Sequence, residues 1–370
     1  MRIQTRIGLA VLSVASSALA TLAHPLTAST APRSSVVASK DYQVDYLVSD
    51  GVVPTENLDP ELRNGWGLAA STTGPWWVAV NEMEIAKVYD ADGTPQELRV
   101  IIPGAPTGTV HSDGDGFVVT DGSVSGPARF LFATENGEIF GWSPTVGPAA
   151  PDGQAFLGVD QSGSGAIFKG LAIAQTNTGG RLYATDFHNG RIAVFDEDFA
   201  PITTPGAFVD PRIPAGYAPF GIQTLEGRIF VSYAKQDADA EDEIAGQGMG
   251  FVNVFDTDGV LIAQVGAHGQ LNAPWGMAIA PNGFGPMSGK LLVGNFGDGT
   301  IAAFTMTDDM RRFNPAGLLR DAAHKPIQID GLWGIAFGND GAAGASTDLY
   351  FAAGPAEESH GSFGHISPTP

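Results

Sequence analysis

Six residues stand immediately before a repeated glycine in this 370-residue chain: Trp66, Thr107, Lys169, Phe220, Trp275 and Trp333. Four are aromatic, and three of the chain's six tryptophans are among them, which points to one shared location. A second set falls at the end of the next apolar run of each copy: Asn81, Glu135, Asp186, Tyr233 with Lys235, Asn295, and small residues near Ala353. An aromatic floor edged by amides, carboxylates and two lysines suits a planar or sugar-like ligand, which stacks while hydrogen bonds orient it. The same groups offer acid–base chemistry, with Glu135 or Asp186 moving a proton and Lys169 or Lys235 stabilising developing negative charge. Packing accounts for each residue taken singly, because aromatics wedge sheets together and Asn or Asp at a strand end satisfies turn backbone. The clustering of tryptophan favours a site.

Other chemistries find little support. With no cysteine there is no thiolate metal site and no cysteine nucleophile. No Gly-x-Ser-x-Gly, His-Glu-x-x-His, phosphate-binding glycine loop or haem-attachment sequence occurs. His188 and His360 sit in turns of copies three apart and are expected on opposite sides of a ring, as surface residues rather than a shared metal pair. His111, on a first apolar run, is expected to line a channel. The acidic stretch 237–243 lacks calcium-loop spacing and reads as a solvated turn, and 295–299 reads as a hairpin.

The elements that must position these residues repeat six times, over 65–90, 106–144, 168–196, 219–256, 274–305 and 332–367. Each copy runs from a glycine-bearing turn through three short apolar runs. In the third copy these are 170–174, 181–186 and 190–196. The reference glycines Gly67, Gly108, Gly170, Gly221, Gly276 and Gly334 recur every 41 to 62 residues, room for about four strands and their turns. One such unit cannot bury both faces alone, so the pattern predicts an all-β, six-bladed β-propeller spanning 41–370 as one domain. The alternating stretch 42–48 precedes the first copy, while the sixth ends with little chain left for an outer strand. The amino-terminal strand is therefore expected to complete the last blade and hide its edge.

Arg2 and Arg6 precede the apolar run 7–15, and small residues follow at signal-peptidase spacing, so 1–23 reads as a signal peptide and 24–40 as a disordered leader. The expected location is secreted or periplasmic, with no membrane insertion after cleavage. A formal charge of −21 repels phosphate backbones, so nucleic acid is not an expected partner. The expected partner is a small-molecule or glycan ligand.

The units resemble NHL-type six-bladed propeller repeats. Longer phrases, including 63–69, 132–137, 233–239, 271–276 and 293–301, resemble a family of exported bacterial proteins, a likeness running from about 46 to 366 that implies a fold and no activity. Lactonase-like propellers are similar in architecture and imply Glu, Asn and Asp around a divalent cation, often directly before the glycine. Here those positions carry Trp66, Thr107, Lys169, Phe220, Trp275 and Trp333, poor ligands for a hard cation. A site displaced to Glu135, Asp186 and Asn295 is the remaining way to hold a metal. No cofactor is expected, and a divalent cation is the one candidate. The reading is a secreted binding module with a Trp-rich channel mouth for a small or extended polar ligand, carbohydrate being one candidate. The alternative is a hydrolase or lyase, lactonase-like and metal-dependent or not, at the same face; a scaffold without a small ligand is the third. Replacing Trp275 and Trp333 with Ala is expected to abolish binding and spare the fold.

Overall fold

Each copy folds as its alternation predicts. In the third, Phe168–Thr176, Gly179–Asp186 and Arg191–Phe195 form an antiparallel meander in which Leu171 pairs with Ala184 and Leu182 with Phe195. The protein is known from a computed structural model, in which residues 41–369 are described. The expected signal peptide and leader lie outside the described residues. No helix among those described is long and apolar enough to cross a membrane.

Six blades form a ring. Their innermost strands are Gly65–Ala70, Pro106–His111, Phe168–Thr176, Tyr217–Leu225, Pro274–Ile279 and Leu332–Phe337, in blades 1 to 6. Blade 1 gains a parallel outer strand, Asp152–Gln154, from the segment that joins the last two strands of blade 2, Glu138–Trp142 and Phe156–Asp160. Blade 3 stops at three strands plus a single bridge, Phe195 to Pro201, one fewer than the expected four. Closure follows expectation: Tyr42–Ser49 pairs antiparallel with Ser362–Pro368, from Tyr42 opposite Pro368 to Ser49 opposite Ser362. This covers an edge that would otherwise offer unpaired backbone groups.

The core is divided as a propeller requires. Six apolar clusters each draw on two neighbouring blades, such as Phe230, Val254, Leu291 and Val293 between blades 4 and 5. A seventh lies on the axis. The reference glycines let the inner strands meet there. A Cβ at Gly221 would stand 2.1 Å from the Trp275 carbonyl oxygen, and one at Gly276 2.5 Å from that of Trp333. Any side chain at these positions would force the ring open.

Candidate functional site at the axial mouth

The residue before each reference glycine turns toward the axis, as the repeat predicts. Trp66 stacks on Trp333 with ring centroids 3.6 Å apart, and Trp275 meets both edge-on at 6.0 and 5.8 Å. Phe220 and Phe296 pack on Trp333 at 5.7 and 4.0 Å. This gathering differs from an open floor: Trp66, Trp275 and Trp333 are 2%, 3% and 0% exposed. Six inner strands drawn together by glycine leave a channel narrow enough for three indoles to fill. The indoles therefore plug the axis and offer no face to a ligand. Thr107 is also buried and donates to the Phe168 carbonyl at 2.7 Å.

Lys169 is the exception among these six positions. Its ammonium lies 5.4 Å from the Trp66 ring centre and is tied to Glu135 at 2.5 Å and to Asp242 at 3.0 Å. Burial alone would push the lysine pKa down, yet Glu135, Glu243 and Asp242 together hold it above its ordinary value. Around it runs a chain of amides. Asn81 Nδ2 donates to Glu135 Oε2 at 3.0 Å, Asn64 Nδ2 to Glu358 Oε2 at 2.6 Å, and Trp333 Nε1 to Asn64 Oδ1 at 3.0 Å. Trp275 Nε1 donates to the Lys169 carbonyl at 2.9 Å, so plug and mouth are one network.

Two further carboxyl groups are perturbed. Burial pushes Glu243 up to about 8, with Lys169 pulling the other way and Glu358 and Asp242 adding to the rise. Burial likewise raises Glu358, against the hydrogen bond from Asn64 and the charge of Lys169. Glu358 ends a run of three non-glycine residues in the left-handed region, with φ of 56° at Ala356, 54° at Glu357 and 64° at Glu358. Each such residue costs about 1–2 kcal/mol, so the turn holds its carboxylate at the expense of backbone strain.

The acidic stretch 237–243 is not a solvated turn throughout. It begins a loop, 237–248, that folds over the mouth and carries Asp242 and Glu243 to Lys169. Glu243–Ile244 pairs with Lys235 and Gln236, and the His188 Nδ1 lies 3.3 Å from the Ala240 carbonyl. Asn272 Oδ1 accepts from the Gly246 amide at 2.6 Å and closes the far end.

The expected site residues thus divide. Lys169, Glu135 and Asn81 come together. Trp66, Trp275, Trp333 and Phe220 lie beneath them as the plug. Asp186 is fully buried at the end of its strand, accepting from Asn189 and from Arg191 Nε, each at 2.9 Å, in the turn that follows. Asn295 is fully buried at another strand end, donating to the Gln270 carbonyl at 2.7 Å and to Thr300 Oγ1 at 2.9 Å. Lys235 makes no salt bridge among the described residues, and the Tyr233 hydroxyl is buried without a hydrogen-bond partner. His360 Nδ1 is occupied by Asp50 at 2.7 Å. Asn64 and Glu358 were not singled out by sequence reasoning, and Asp242 and Glu243 entered it only within the acidic stretch read as a solvated turn. Asn64 carried a signal of its own, standing beside the first blade's opening glycine. Among the described residues no group of three or more His, Asp or Glu could hold a metal ion, and the centre of the mouth is taken by the Lys169 ammonium.

No model of a known family matches the chain. It is 31% identical over 326 residues to uncharacterized protein R648 of Acanthamoeba polyphaga mimivirus, covering 85% of this chain and 77% of that one. It is 32% identical over 311 residues to uncharacterized protein L690 of the same virus, covering 80% and 78%. Among solved structures, the apo form of the soluble aldose sugar dehydrogenase of Escherichia coli superposes with a TM-score of 0.53 at 13% identity, over 89% of this chain and 100% of that one. At that identity the likeness concerns the propeller fold alone. The chain belongs to the family of the mimivirus proteins R648 and L690.

Proposed function

We propose that the protein is a binding module that takes a small, donor-rich polar ligand, best matched by a neutral carbohydrate, in the axial mouth beneath the 237–248 loop. The observation that carries this reading is the excess of carboxylates over cations: Glu135, Asp242, Glu243 and Glu358 all act on one buried ammonium. Sugar hydroxyls donate to carboxylate oxygens in charge-assisted bonds, and the Asn64 and Asn81 amides supply complementary contacts. Trp66, beneath Lys169, reports occupancy through its fluorescence. Titration with neutral monosaccharides is expected to change emission saturably, and Glu135→Gln or Asn81→Ala to weaken binding at least tenfold. Sugar acids, repelled by the same carboxylates, are expected to leave emission unchanged. A folded protein with no saturable response to any neutral sugar contradicts the reading.

A second reading, a hydrolase or lyase at the same mouth, is favoured by one observation: Glu243 titrates near neutrality beside Lys169. A carboxyl group so poised can donate a proton while the ammonium stabilises an anion. Acid release from aldonolactones, abolished by Glu243→Gln, would establish it; binding without turnover rejects it.

Export belongs to the same proposal, with 1–23 as a signal peptide and the likeness to exported bacterial proteins in support. A mature chain recovered from medium or periplasm should begin near His24 on amino-terminal sequencing. An intact Met1 terminus would reject export by this route.

A further inference from the structure

The opposite end of the axis is built differently. Leu68, Met277 and Ile335 follow Gly67, Gly276 and Gly334, so they lie beyond the glycine ring from the tryptophan plug. They line a cavity of about 760 Å³ bounded by blades 4, 5 and 6, to which blade 1 contributes Leu68. A second lobe of about 560 Å³ lies toward blades 1 to 3, with His111 in its wall. Leu68, Gln223 and Thr224 line both lobes and join them.

The larger lobe is apolar at its base and polar at its rim. Met306 and Phe337 complete the apolar lining, while Asn282, Thr307, Asp308 and Glu226 stand exposed at the edge. Methionine thioethers adapt to varied shapes, and cavities of this size suit small organic molecules. The Thr224 hydroxyl oxygen, at the residue where the lobes meet, is buried and has no hydrogen-bond partner among the described residues. An unpaired buried hydroxyl is unfavourable, and rotation about χ1 into the lobe lets it pair with a ligand group. Glu226 and Asp308 disfavour anions at the entrance.

We propose that this cavity is a second ligand site, for an uncharged, largely apolar molecule of about three-ring size with one hydrogen-bonding group. It is separate from the mouth, because the indole plug and the glycine ring stand between them. The probe is N-phenyl-1-naphthylamine, whose single N–H can pair with Thr224, compared with its 8-sulfonate, which differs only by the added anion.

The neutral probe is expected to bind one equivalent with fluorescence enhancement, at a Kd of about tens of micromolar, and the sulfonate at least tenfold more weakly. Thr224→Val should weaken the neutral probe about three- to tenfold through loss of one hydrogen bond. Ala336→Phe, which projects a ring into the lobe, should weaken binding at least tenfold. Asn282→Trp at the exposed rim gives the same test should Ala336→Phe not fold. Glu135→Gln should leave this binding unchanged, which separates the cavity from the mouth. Failure of the neutral probe to saturate, equal binding of the sulfonate, or full affinity in a stably folded Ala336→Phe or Asn282→Trp variant would overturn the proposal.

Discussion

Replacing Glu243 with Gln should stabilise the protein at alkaline pH and leave it unchanged in acid. In the folded protein burial raises this carboxyl from an ordinary 4.5 to about 8. A raised folded pKa means that the folded state binds the proton more tightly than the unfolded chain. The stability tied to that proton is fully present below 4.5, falls as pH rises toward 8, and is lost above it. Glutamine keeps the shape and carries no charge, so the variant escapes the loss. The interval from 4.5 to about 8, at roughly 1.4 kcal/mol per pH unit, sets a ceiling near 5 kcal/mol. Part of Glu243 still touches solvent, and relaxation of the loop lowers the effect, so about 2–3 kcal/mol is the expected gain at pH 9. Urea unfolding of wild type and Glu243→Gln, followed by tryptophan emission from pH 4.5 to 9, gives the difference directly. The curves should coincide at the acid end, diverge through neutrality and run parallel above pH 8. A constant difference across the range, or a variant less stable at pH 9, would refute the burial of Glu243 in the mouth.

Four other outcomes follow from the same geometry. Gly221→Ala should destabilise by about 3 kcal/mol because its Cβ meets the Trp275 carbonyl at 2.1 Å, whereas Gly163→Ala, with nothing within 4 Å, should be near neutral in the same urea titration. Lys169→Met should cost about 2–4 kcal/mol by stranding the carboxylates around it; the exposure of Asp242, at 73%, keeps the figure below that of a fully buried pair. Trp333→Ala should cost about 3–5 kcal/mol and produce an early thermal transition, since this indole fills the axis. Deleting residues 42–50 should abolish the cooperative melt, as blade 6 then loses the strand paired with Ser362–Pro368.

The ring was legible because its signals are local and periodic. A glycine recurs at each inner strand, preceded by a large residue in every blade but the second, where Thr107 stands, and the alternation of 42–48 announced a strand with no partner nearby in sequence. The state of the tryptophans was not legible. Residues 66, 275 and 333 share a repeat position, but their burial depends on how closely six backbones approach, a property of the closed ring rather than of any copy. Asp186 and Asn295 show the converse: each ends a strand, and residues that follow, Asn189 and Arg191 or Thr300, take up its hydrogen bonds. Glu243 and Glu358 gave no periodic signal, since they sit in connections within the fourth and sixth copies, away from the positions that repeat. Only the fold of 237–248 across the ring and the left-handed run at 356–358 bring them to Lys169.

Hydrogen exchange with and without a saturating neutral sugar tests the central claim most directly, because it locates the ligand as well as detecting it. Binding in the axial mouth predicts slower exchange of backbone amides in 237–248 and 356–360, with no change at 223–226 or 277–282 across the plug. Protection confined to those far segments or to the blade edges, with 237–248 unaffected, would contradict it.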